Sequence, residues 1–222
     1  MKKALLVDDH AFLRDALALL MAQEFPFMTL LQAGALAPAR QLLLAHPDVQ
    51  LVLLDLSLPD GHGLDLLPQL RAATGATLVV MSADDSSETI LAAIQAGAAG
   101  YIPKTLESAR MLDALRVVMA GGVYLPPKLL AAPRQLPPQG PAAPGARAPA
   151  DLGLSPRQGE VLRMLIEGKP NKLISRELEM SESTVKTHLA AIFRKLDANS
   201  RTQAVVAAAR LGLRLAPAGA SS

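Results

Sequence analysis

The chain has 222 residues, a length that fits one large domain or two small ones, and half of the residues are hydrophobic, which is enough for a sizeable core. It contains no cysteine, which excludes disulfides and thiolate metal sites and favours a reducing compartment such as the cytoplasm. The N-terminal apolar run ends at Asp8, too early for a secretory signal, and no run reaches the roughly 20 residues of a membrane span, so no membrane association is expected.

Charge is distributed unevenly along the chain. Residues 1–130 contain nine Lys and Arg against thirteen Asp and Glu, a net charge of −4. Residues 131–222 contain thirteen Lys and Arg against seven Asp and Glu, a net charge of +6. A basic C-terminal part joined to an acidic N-terminal part indicates that the C-terminal part meets a polyanion.

Short aliphatic runs alternate with helical patterns in the first half of the chain. Strands are predicted at Ala4–Val7, Thr29–Gln32, Leu51–Leu54, Leu78–Met81 and Gly100–Ile102. Helices are predicted at Ala11–Glu24, Leu36–His46, Leu64–Ala72, Ser86–Ala96 and Leu106–Ala120. Five βα units at this spacing predict an α/β domain over residues 1–122, a doubly wound parallel (βα)5 sheet with helices on both faces.

Polar residues follow the predicted strands at one edge of this sheet. They are Asp8, Asp9, Asp55, Ser82 and Lys104. Three neighbouring carboxylates repel one another unless a cation joins them, and an all-oxygen site suits Mg²⁺. A Lys and a hydroxyl beside such a metal bind phosphoryl oxygens, and a carboxylate can accept the phosphoryl group. Taken singly, each residue could be a cap or a surface charge, but their common edge favours a phosphoryl site.

These residues carry a family resemblance. The pattern Asp8-Asp9, Asp55, Ser82-Ala83, Tyr101 and Pro103-Lys104 resembles the signature of response-regulator receiver domains. The resemblance implies that Asp55 is phosphorylated from a phosphohistidine on a sensor histidine kinase. It also implies that Asp9 and Asp55 bind Mg²⁺ directly, that Asp8 assists through water, and that the Ser57 carbonyl completes the metal shell.

The resemblance also assigns a switch. It implies that Lys104 and Ser82 bind the phosphoryl oxygens and that Tyr101 rotates inward as Ser82 moves toward the phosphate. Thr105 follows Lys104 where many receivers have Pro, so the cis Lys-Pro bond of those receivers is absent. The segment from Pro59 to Gly63 is predicted to be a structural turn, and neither His10 nor His62 is predicted to bind metal.

Two segments are predicted to lack a packed fold. Residues 123–150 form a Pro/Ala-rich linker with eight prolines between positions 126 and 149, which predicts an extended, semi-rigid spacer. Residues 216–222 are predicted to be a disordered tail.

The second half predicts an all-α domain over residues 151–215. Ser155 and Gln158 are placed for a capping box, and Gly168 ends that first helix. Asn171 is predicted to cap a second helix through Leu178, and Ser181 a third to about Leu196. The short turn between the second and third helices predicts helix-turn-helix geometry.

The predicted third helix has two different faces. The apolar stripe comprises Val185, Leu189, Ile192, Phe193 and Leu196. The opposite face comprises Ser183, Lys186, Thr187, Ala190, Ala191 and Arg194. Lys186 can donate to guanine O6 and N7, and Thr187 can meet a base edge or a thymine methyl in the major groove. A helical bundle with an ordinary solvated basic face is the alternative interpretation.

A second resemblance covers residues 151–213. The residues that carry it are Leu154–Leu162, Asn171-Lys172, Ser183–His188, Lys195-Leu196 and Ser200–Ala204, and they are similar to the DNA-binding domain of NarL/FixJ (LuxR-type) regulators. The resemblance implies base contacts from Lys186 and Thr187. It implies phosphate contacts from Asn171, Lys172, Thr184 and Arg194. It implies a fourth helix, Thr202 to about Leu211, that dimerises on DNA, and the residues predicted to form that dimer surface are Thr202, Val205, Val206 and Ala209.

The chain departs from that family at three positions. Gly159 lies inside the first helix where a charged residue is usual, which costs roughly 1 kcal/mol against Ala. Glu179 occupies the turn where the family usually has Gly, and Ala190 lies where some relatives have a Lys that reaches the groove. The departure at Ala190 predicts narrow base recognition.

Together the two resemblances imply a DNA-binding transcriptional response regulator of a two-component system. Asp55 phosphorylation is expected either to free the recognition helix from the receiver or to bring two receivers together. The active form is expected to be a homodimer that binds paired half-sites, with RNA polymerase as a further expected partner. Enzymatic activity is limited to Mg²⁺-dependent self-phosphorylation and autodephosphorylation at Asp55. A Mg²⁺-dependent phosphohydrolase is disfavoured because Ser57 stands where a familiar phosphatase superfamily needs a second Asp. DNA binding without phosphorylation stays open.

Overall fold

The computed structural model describes residues 2–127, 129, 149–211 and 213. The chain divides between Met119 and Ala120 into an N-terminal α/β unit and a C-terminal helical unit. The predictions for most of the linker, residues 130–148, and for the tail, residues 216–222, lie outside the described residues. Within the described residues, no helix combines the length and the apolar character needed to cross a bilayer.

The N-terminal unit contains a parallel sheet flanked by helices. Its strands are β1 (Lys2–Val7), β2 (Met28–Ala33), β3 (Val49–Asp55), β4 (Ser57–Leu58), β5 (Gly61–His62), β6 (Thr77–Ser82) and β7 (Gly100–Pro103). Its helices are α1 (Ala11–Glu24), α2 (Leu36–Ala45), α3 (Gly63–Ala73), α4 (Ser87–Gln95) and α5 (Ser108–Met119). The predicted five βα units are confirmed, with element ends that differ by at most two residues; the small β4–β5 hairpin was not predicted.

The five long strands pair in the order β2-β1-β3-β6-β7, and every pair is parallel. Ala4–Val7 of β1 and Val52–Leu54 of β3 are fully buried because helices cover both faces of the sheet. Burial of each Leu there contributes about 1.5–3 kcal/mol of transfer free energy. This apolar centre fixes the strand register and so aligns the strand ends where the polar residues lie.

The segment after β3 is tied to α2 by Asp60. Its carboxylate accepts hydrogen bonds from the backbone N–H groups of Leu36 and Ala37, each at 2.8 Å. These backbone donors lower the pKa of Asp60. Ala35, the residue at the N-cap position of α2, has no side chain that could cap the helix. The sequence interpretation of this segment as a structural turn missed the capping role.

From Pro149 onward, the described part of the C-terminal unit comprises a 3-10 turn, Pro149–Leu152, and four α-helices. They are α6 (Pro156–Ile166), α7 (Asn171–Glu177), α8 (Glu182–Lys195) and α9 (Arg201–Arg210). The predicted capping box is confirmed, since the Ser155 hydroxyl accepts from the N–H of Gln158 and the Gln158 side chain accepts from the N–H of Ser155. Ser181 caps α8 as predicted.

Two details of this unit differ from the sequence predictions. Asn171 does not cap α7, because Pro170 occupies the N-cap position and Asn171 is the first helical residue. Phe193 is only half-buried, so the buried stripe of α8 comprises Val185, Leu189 and Ile192, continued by Leu196 just after the helix.

The start of the predicted linker is also different. Val123, Leu125 and Leu129 are each less than a tenth exposed. The prediction that the linker buries too little surface to pack is therefore wrong for Val123, Leu125 and Leu129, because these aliphatic side chains are buried.

Candidate functional sites

A polar pocket lies at the carboxyl edge of the N-terminal sheet. Parallel pairing sets Val7 beside Leu54, Asp55 beside Met81, and Ser82 beside Pro103. Residues that directly follow these strands therefore meet at one edge, as expected for an open α/β sheet.

Two of the pocket carboxylates are buried and one is exposed. Asp8 is fully buried and Asp55 is 2% exposed, whereas Asp9 faces solvent. The backbone N–H of His10 donates to Oδ1 of Asp8 at 2.9 Å and fixes that carboxylate. One ligand atom from each of Asp8, Asp9, His10 and Asp55 falls within 4.8 Å of the others. The three carboxylates of this group supply hard oxygen donors, which fit Mg²⁺.

Lys104 is the cation that holds the buried carboxylates together. Its Nζ lies 2.7 Å from Oδ2 of Asp55 and 2.7 Å from Oδ2 of Asp8. Burial by itself lowers the pKa of Lys104, but the contacts with Asp55 and Asp8 outweigh burial, and the net pKa is raised. Lys104 is therefore a fixed positive charge at the point where a phosphoryl group on Asp55 would lie.

His10 and His62 have different surroundings. The ring Nδ1 of His10 lies 2.7 Å from Oδ1 of Asp9 and 3.2 Å from Oδ1 of Asp8, so His10 belongs to the cluster of possible metal ligands. The prediction that His10 is not a metal ligand stays a prediction, although its ring lies within reach of the cluster. His62 instead caps α3, with Nδ1 accepting from the N–H of Leu64 at 3.4 Å.

The loop after β6 is held by Tyr101 and Ser82. Tyr101 is fully buried and its hydroxyl donates to the backbone carbonyl of Asp84, so the ring already lies inward. Burial raises the pKa of Tyr101 to about 12, so the hydroxyl stays a donor at neutral pH. The Ser82 hydroxyl accepts from the N–H of Asp84 at 3.2 Å. Both side chains therefore bind the same loop residue.

The loops that carry Ser57 and Lys104 are short and ordered by backbone hydrogen bonds. Ser57 is exposed and pairs with His62 in the β4–β5 hairpin. The N–H of Lys104 donates to the Ser82 carbonyl at 2.8 Å, and the N–H of Leu106 donates to the Pro103 carbonyl at 3.2 Å. The latter bond closes a turn around Lys104 and Thr105.

Helix α8 presents an exposed polar and basic face. The exposed residues of this face are Ser183, Thr184, Lys186, Thr187, Ala190 and Arg194. Because its other face packs within the unit, side chains near the N-terminus of α8 are free to enter a major groove. The Thr187 hydroxyl donates to the Ser183 carbonyl at 3.1 Å, which leaves its methyl group and an oxygen lone pair for a base edge.

Residues around α7 complete the basic surface of this unit. Lys172 is exposed, and Asn171 is partly exposed with its side-chain oxygen accepting from Nη1 of Arg201 at 2.8 Å. The Thr184 hydroxyl lies 2.8 Å from the Ser181 hydroxyl at the N-terminus of α8. The structure thus places four predicted phosphate contacts, Asn171, Lys172, Thr184 and Arg194, on partly or fully exposed positions.

The predicted dimer surface on α9 is not exposed. Thr202, Val205 and Val206 are each less than a tenth exposed, and Ala209 is half-buried. Helix α9 packs against α6 and α8, so these side chains belong to the core. The prediction that they form a dimer surface is wrong for Thr202, Val205 and Val206, because small and aliphatic residues suit a core as well as an interface.

The pocket and the helix-turn-helix unit together define the class of response regulators, in which a receiver domain is joined to a DNA-binding domain. Residues 4–116 match the response regulator receiver domain, and residues 152–208 match the bacterial regulatory proteins of the luxR family. The chain belongs to the NarL/FixJ (LuxR-type) family of two-component response regulators. It is therefore a DNA-binding transcriptional regulator of a two-component system.

Several relatives are similar over nearly their whole length. The glycerol metabolism activator of Pseudomonas putida is 35% identical over 210 residues, which cover 94% of this chain and 95% of that protein. The nitrate/nitrite response regulator NarL of Escherichia coli K12 is 33% identical over 208 residues, covering 91% and 92%. A crystal structure of a LuxR family response regulator from Silicibacter pomeroyi is 29% identical with a TM-score of 0.52, covering 58% of this chain and 99% of that one.

Proposed function

We propose that Asp55 is the phosphoacceptor that switches DNA binding by this chain. The observation that carries the proposal is the position of Asp55, buried at the carboxyl edge of the sheet with its carboxylate 2.7 Å from the Lys104 ammonium. A sensor histidine kinase, the partner that the family implies, supplies the phosphoryl group as a phosphohistidine.

The transfer is a displacement at phosphorus. A carboxylate oxygen of Asp55 attacks the phosphorus, the phosphorus–nitrogen bond breaks, and its electron pair stays on the imidazole nitrogen. Lys104 stabilises the negative charge of the phosphoryl oxygens, since it is fixed beside Asp55 by two carboxylates. Autodephosphorylation reverses the covalent state when water attacks the same phosphorus and frees the Asp55 carboxylate.

The carboxylate cluster fits a Mg²⁺ requirement. Asp9 and Asp55 would hold the ion directly, Asp8 would act through water, and the Ser57 carbonyl would complete the shell. When bound, Mg²⁺ supplies positive charge to the phosphoryl oxygens during transfer. Asp8 and Asp55 need such a cation, because the single Lys104 leaves the group of buried charges net negative.

Phosphorylation is then transmitted through the loop after β6. The Ser82 hydroxyl, which accepts from the Asp84 N–H, turns toward a phosphoryl oxygen and becomes a donor to it. That change removes the Ser82 contact with the Asp84 backbone, while Tyr101 keeps its contact with the Asp84 carbonyl. The loop is therefore the element through which the state of Asp55 reaches the surface around α4.

The C-terminal unit binds duplex DNA through α8. Lys186 and Thr187 meet base edges in the major groove, while Asn171, Lys172, Thr184 and Arg194 contact phosphates. These residues are exposed or partly exposed around one helix-turn-helix, and a Lys and a Thr near the start of the second helix fit direct base recognition.

An active homodimer would bind two half-sites about one helical turn apart. Because Thr202, Val205 and Val206 are buried, this dimer uses residues other than those three. On promoters, RNA polymerase is the further partner, and a cytoplasmic location follows from these partners.

The test uses the whole protein with Mg²⁺ and acetyl phosphate, beside Asp55→Ala and the control Asp15→Asn, an exposed carboxylate on α1. Intact mass, oligomeric state and DNA binding are measured together. We expect one phosphoryl adduct in the parent and the control, none in Asp55→Ala, and tighter DNA binding only where the adduct forms. If no adduct forms and all three proteins bind DNA equally, the proposed phosphoswitch is contradicted, and the protein binds DNA constitutively.

A further inference from the structure

Arg201, the first residue of α9, is a largely buried cation without a carboxylate partner. Among the described residues, no Asp or Glu oxygen lies within ion-pair distance of its guanidinium, and its Nε is buried without a hydrogen bond. Burial lowers the pKa of Arg201 to about 10. A buried charge that lacks an opposite charge is costly, so its position calls for a local reason.

That reason lies in the two acceptors that Arg201 does have. Nη1 donates to the side-chain oxygen of Asn171 at 2.8 Å, and Nη2 donates to the backbone carbonyl of Lys169. Both acceptors flank Pro170, the residue that leads into α7. The guanidinium therefore clamps the segment on which Asn171 is carried.

The clamp determines which end of the Asn171 amide faces outward. A guanidinium has only donors, so it binds the amide oxygen and not the amide nitrogen. With Oδ1 held by Arg201, the NH₂ group of Asn171 takes the other direction on this partly exposed side chain. DNA phosphate oxygens only accept hydrogen bonds, so the outward group must be the NH₂ if Asn171 is to bind a phosphate.

We propose that Arg201 is a positioning residue for DNA binding, which locks the Asn171 amide with its NH₂ directed to a backbone phosphate. The inference rests on the proposed phosphate contact of Asn171 and adds the residue that orients it. Arg201 does not itself touch DNA in this arrangement. Its effect on affinity therefore passes through Asn171.

The first test is a double-mutant cycle on the full chain, treated with Mg²⁺ and acetyl phosphate. The probe is a mixed-sequence duplex of about 30 base pairs at low salt, because phosphate contacts do not depend on sequence. We expect Asn171→Ala to weaken binding about tenfold. Arg201→Met should weaken it several-fold in the parent and hardly at all in the Asn171→Ala background.

Arg210→Met is the matched control, since Arg210 is an exposed cation at the other end of α9. It reports the loss that any missing positive charge causes, and that loss is subtracted from the Arg201 effect. An Arg201→Met effect of equal size with and without Asn171 would overturn the proposal. So would unchanged binding by Asn171→Ala.

Asn171→Asp tests the proposal without removing Arg201, and so remains informative if Arg201→Met does not fold. The new carboxylate would give the Arg201 guanidinium the negatively charged partner that it lacks and raise the melting temperature by a few degrees. The carboxylate would also place a negatively charged acceptor oxygen opposite the phosphate oxygens. Because the two repel each other, we expect weaker DNA binding than for Asn171→Ala. Stability and affinity thus change in opposite directions, as expected if the side chain of residue 171 contacts the guanidinium on one side and a phosphate on the other.

If Asn171→Asp binds DNA as tightly as the parent, the proposed orientation of the Asn171 amide is wrong. By contrast, a parent protein that fails to bind the duplex at all would contradict the proposed DNA interface itself. The two failures are therefore distinguishable within one set of measurements.

Discussion

The pocket at the sheet edge and the exposed face of α8 use similar residues under opposite conditions. In the pocket, Asp8 and Asp55 are almost completely buried, and both contact the partly exposed Lys104. On α8, Lys186 and Arg194 are exposed. Charges in the pocket therefore depend on each other for stability, whereas charges on α8 depend on the DNA for their partners.

The largest expected effect is on the pocket. Lys104→Met removes the only Lys or Arg of the described residues that pairs with Asp8 and Asp55, and we expect it to lower the free energy of unfolding by about 3 kcal/mol. Asp55→Asn should change it by less than about 1 kcal/mol, because the Lys104–Asp8 pair remains. Thermal unfolding in EDTA measures both, with the exposed Lys2→Met as the control.

Addition of Mg²⁺ sharpens the same comparison. If the carboxylate cluster binds the ion, Mg²⁺ should restore part of the stability of Lys104→Met and raise that of the parent less. Equal melting temperatures for Lys104→Met and the parent in EDTA would show that the buried charges do not depend on Lys104.

Removal of an exposed cation from α8 should not change the stability of the protein. Lys186→Ala removes an exposed side chain, so the free energy of unfolding should change by less than about 0.5 kcal/mol. Affinity for a target site should fall by about 1–3 kcal/mol of binding free energy, the range for a base contact. DNA affinity and melting temperature are both measured for Lys186→Ala and the parent. Arg210→Ala is the control for the loss of an exposed cation. A loss of stability equal to the loss of binding would refute the division between the two regions.

A smaller effect concerns the backbone of the helix-turn-helix. Glu179 and Asp197 both have φ near +50°, where a Cβ atom is unfavourable. We expect Glu179→Gly to raise the free energy of unfolding by about 1 kcal/mol. Asp197→Gly should raise the free energy of unfolding by less, because Asp tolerates this conformation better than Glu. Urea denaturation distinguishes the two, and DNA affinity should remain unchanged for both.

The smallest effect returns to the N-terminal unit and appears only in acid. The pKa of the Asp60 carboxyl is lowered by the backbone N–H groups of Leu36 and Ala37, so Asp60 stabilises the fold above its unfolded pKa. That contribution is lost as the pH falls from about 4 through the lowered pKa. Asp60→Asn should therefore make the melting temperature less dependent on pH in this range, measured beside Asp15→Asn as a control for the loss of an exposed carboxylate.

Several features followed directly from local sequence patterns. The Ser155 and Ser181 caps, the (βα)5 alternation and the strand-end positions of Asp8 and Asp55 depend on residues that lie close together in the chain. Periodicity and capping chemistry are local, so they are predictable without the fold. The parallel order then brings the strand ends to one edge.

Other features depend on partners that are distant in sequence. Asp60 caps α2 from 24 residues away, and Arg201 binds Asn171 from 30 residues away. The pattern on α9 was apolar and small, which fits a core and an interface equally well, and only packing against α6 and α8 decided for the core.

The sequence by itself determined the two folds, the strand-end positions of the residues predicted to form a phosphoryl site, and the basic face of the helix-turn-helix, because spacing and residue type carry that information locally. The tertiary structure alone decided that Lys104 spans Asp8 and Asp55, that His10 joins the carboxylates, and that Arg201 meets Asn171. These contacts join separate elements, and their distances follow from packing and register, which no local pattern records.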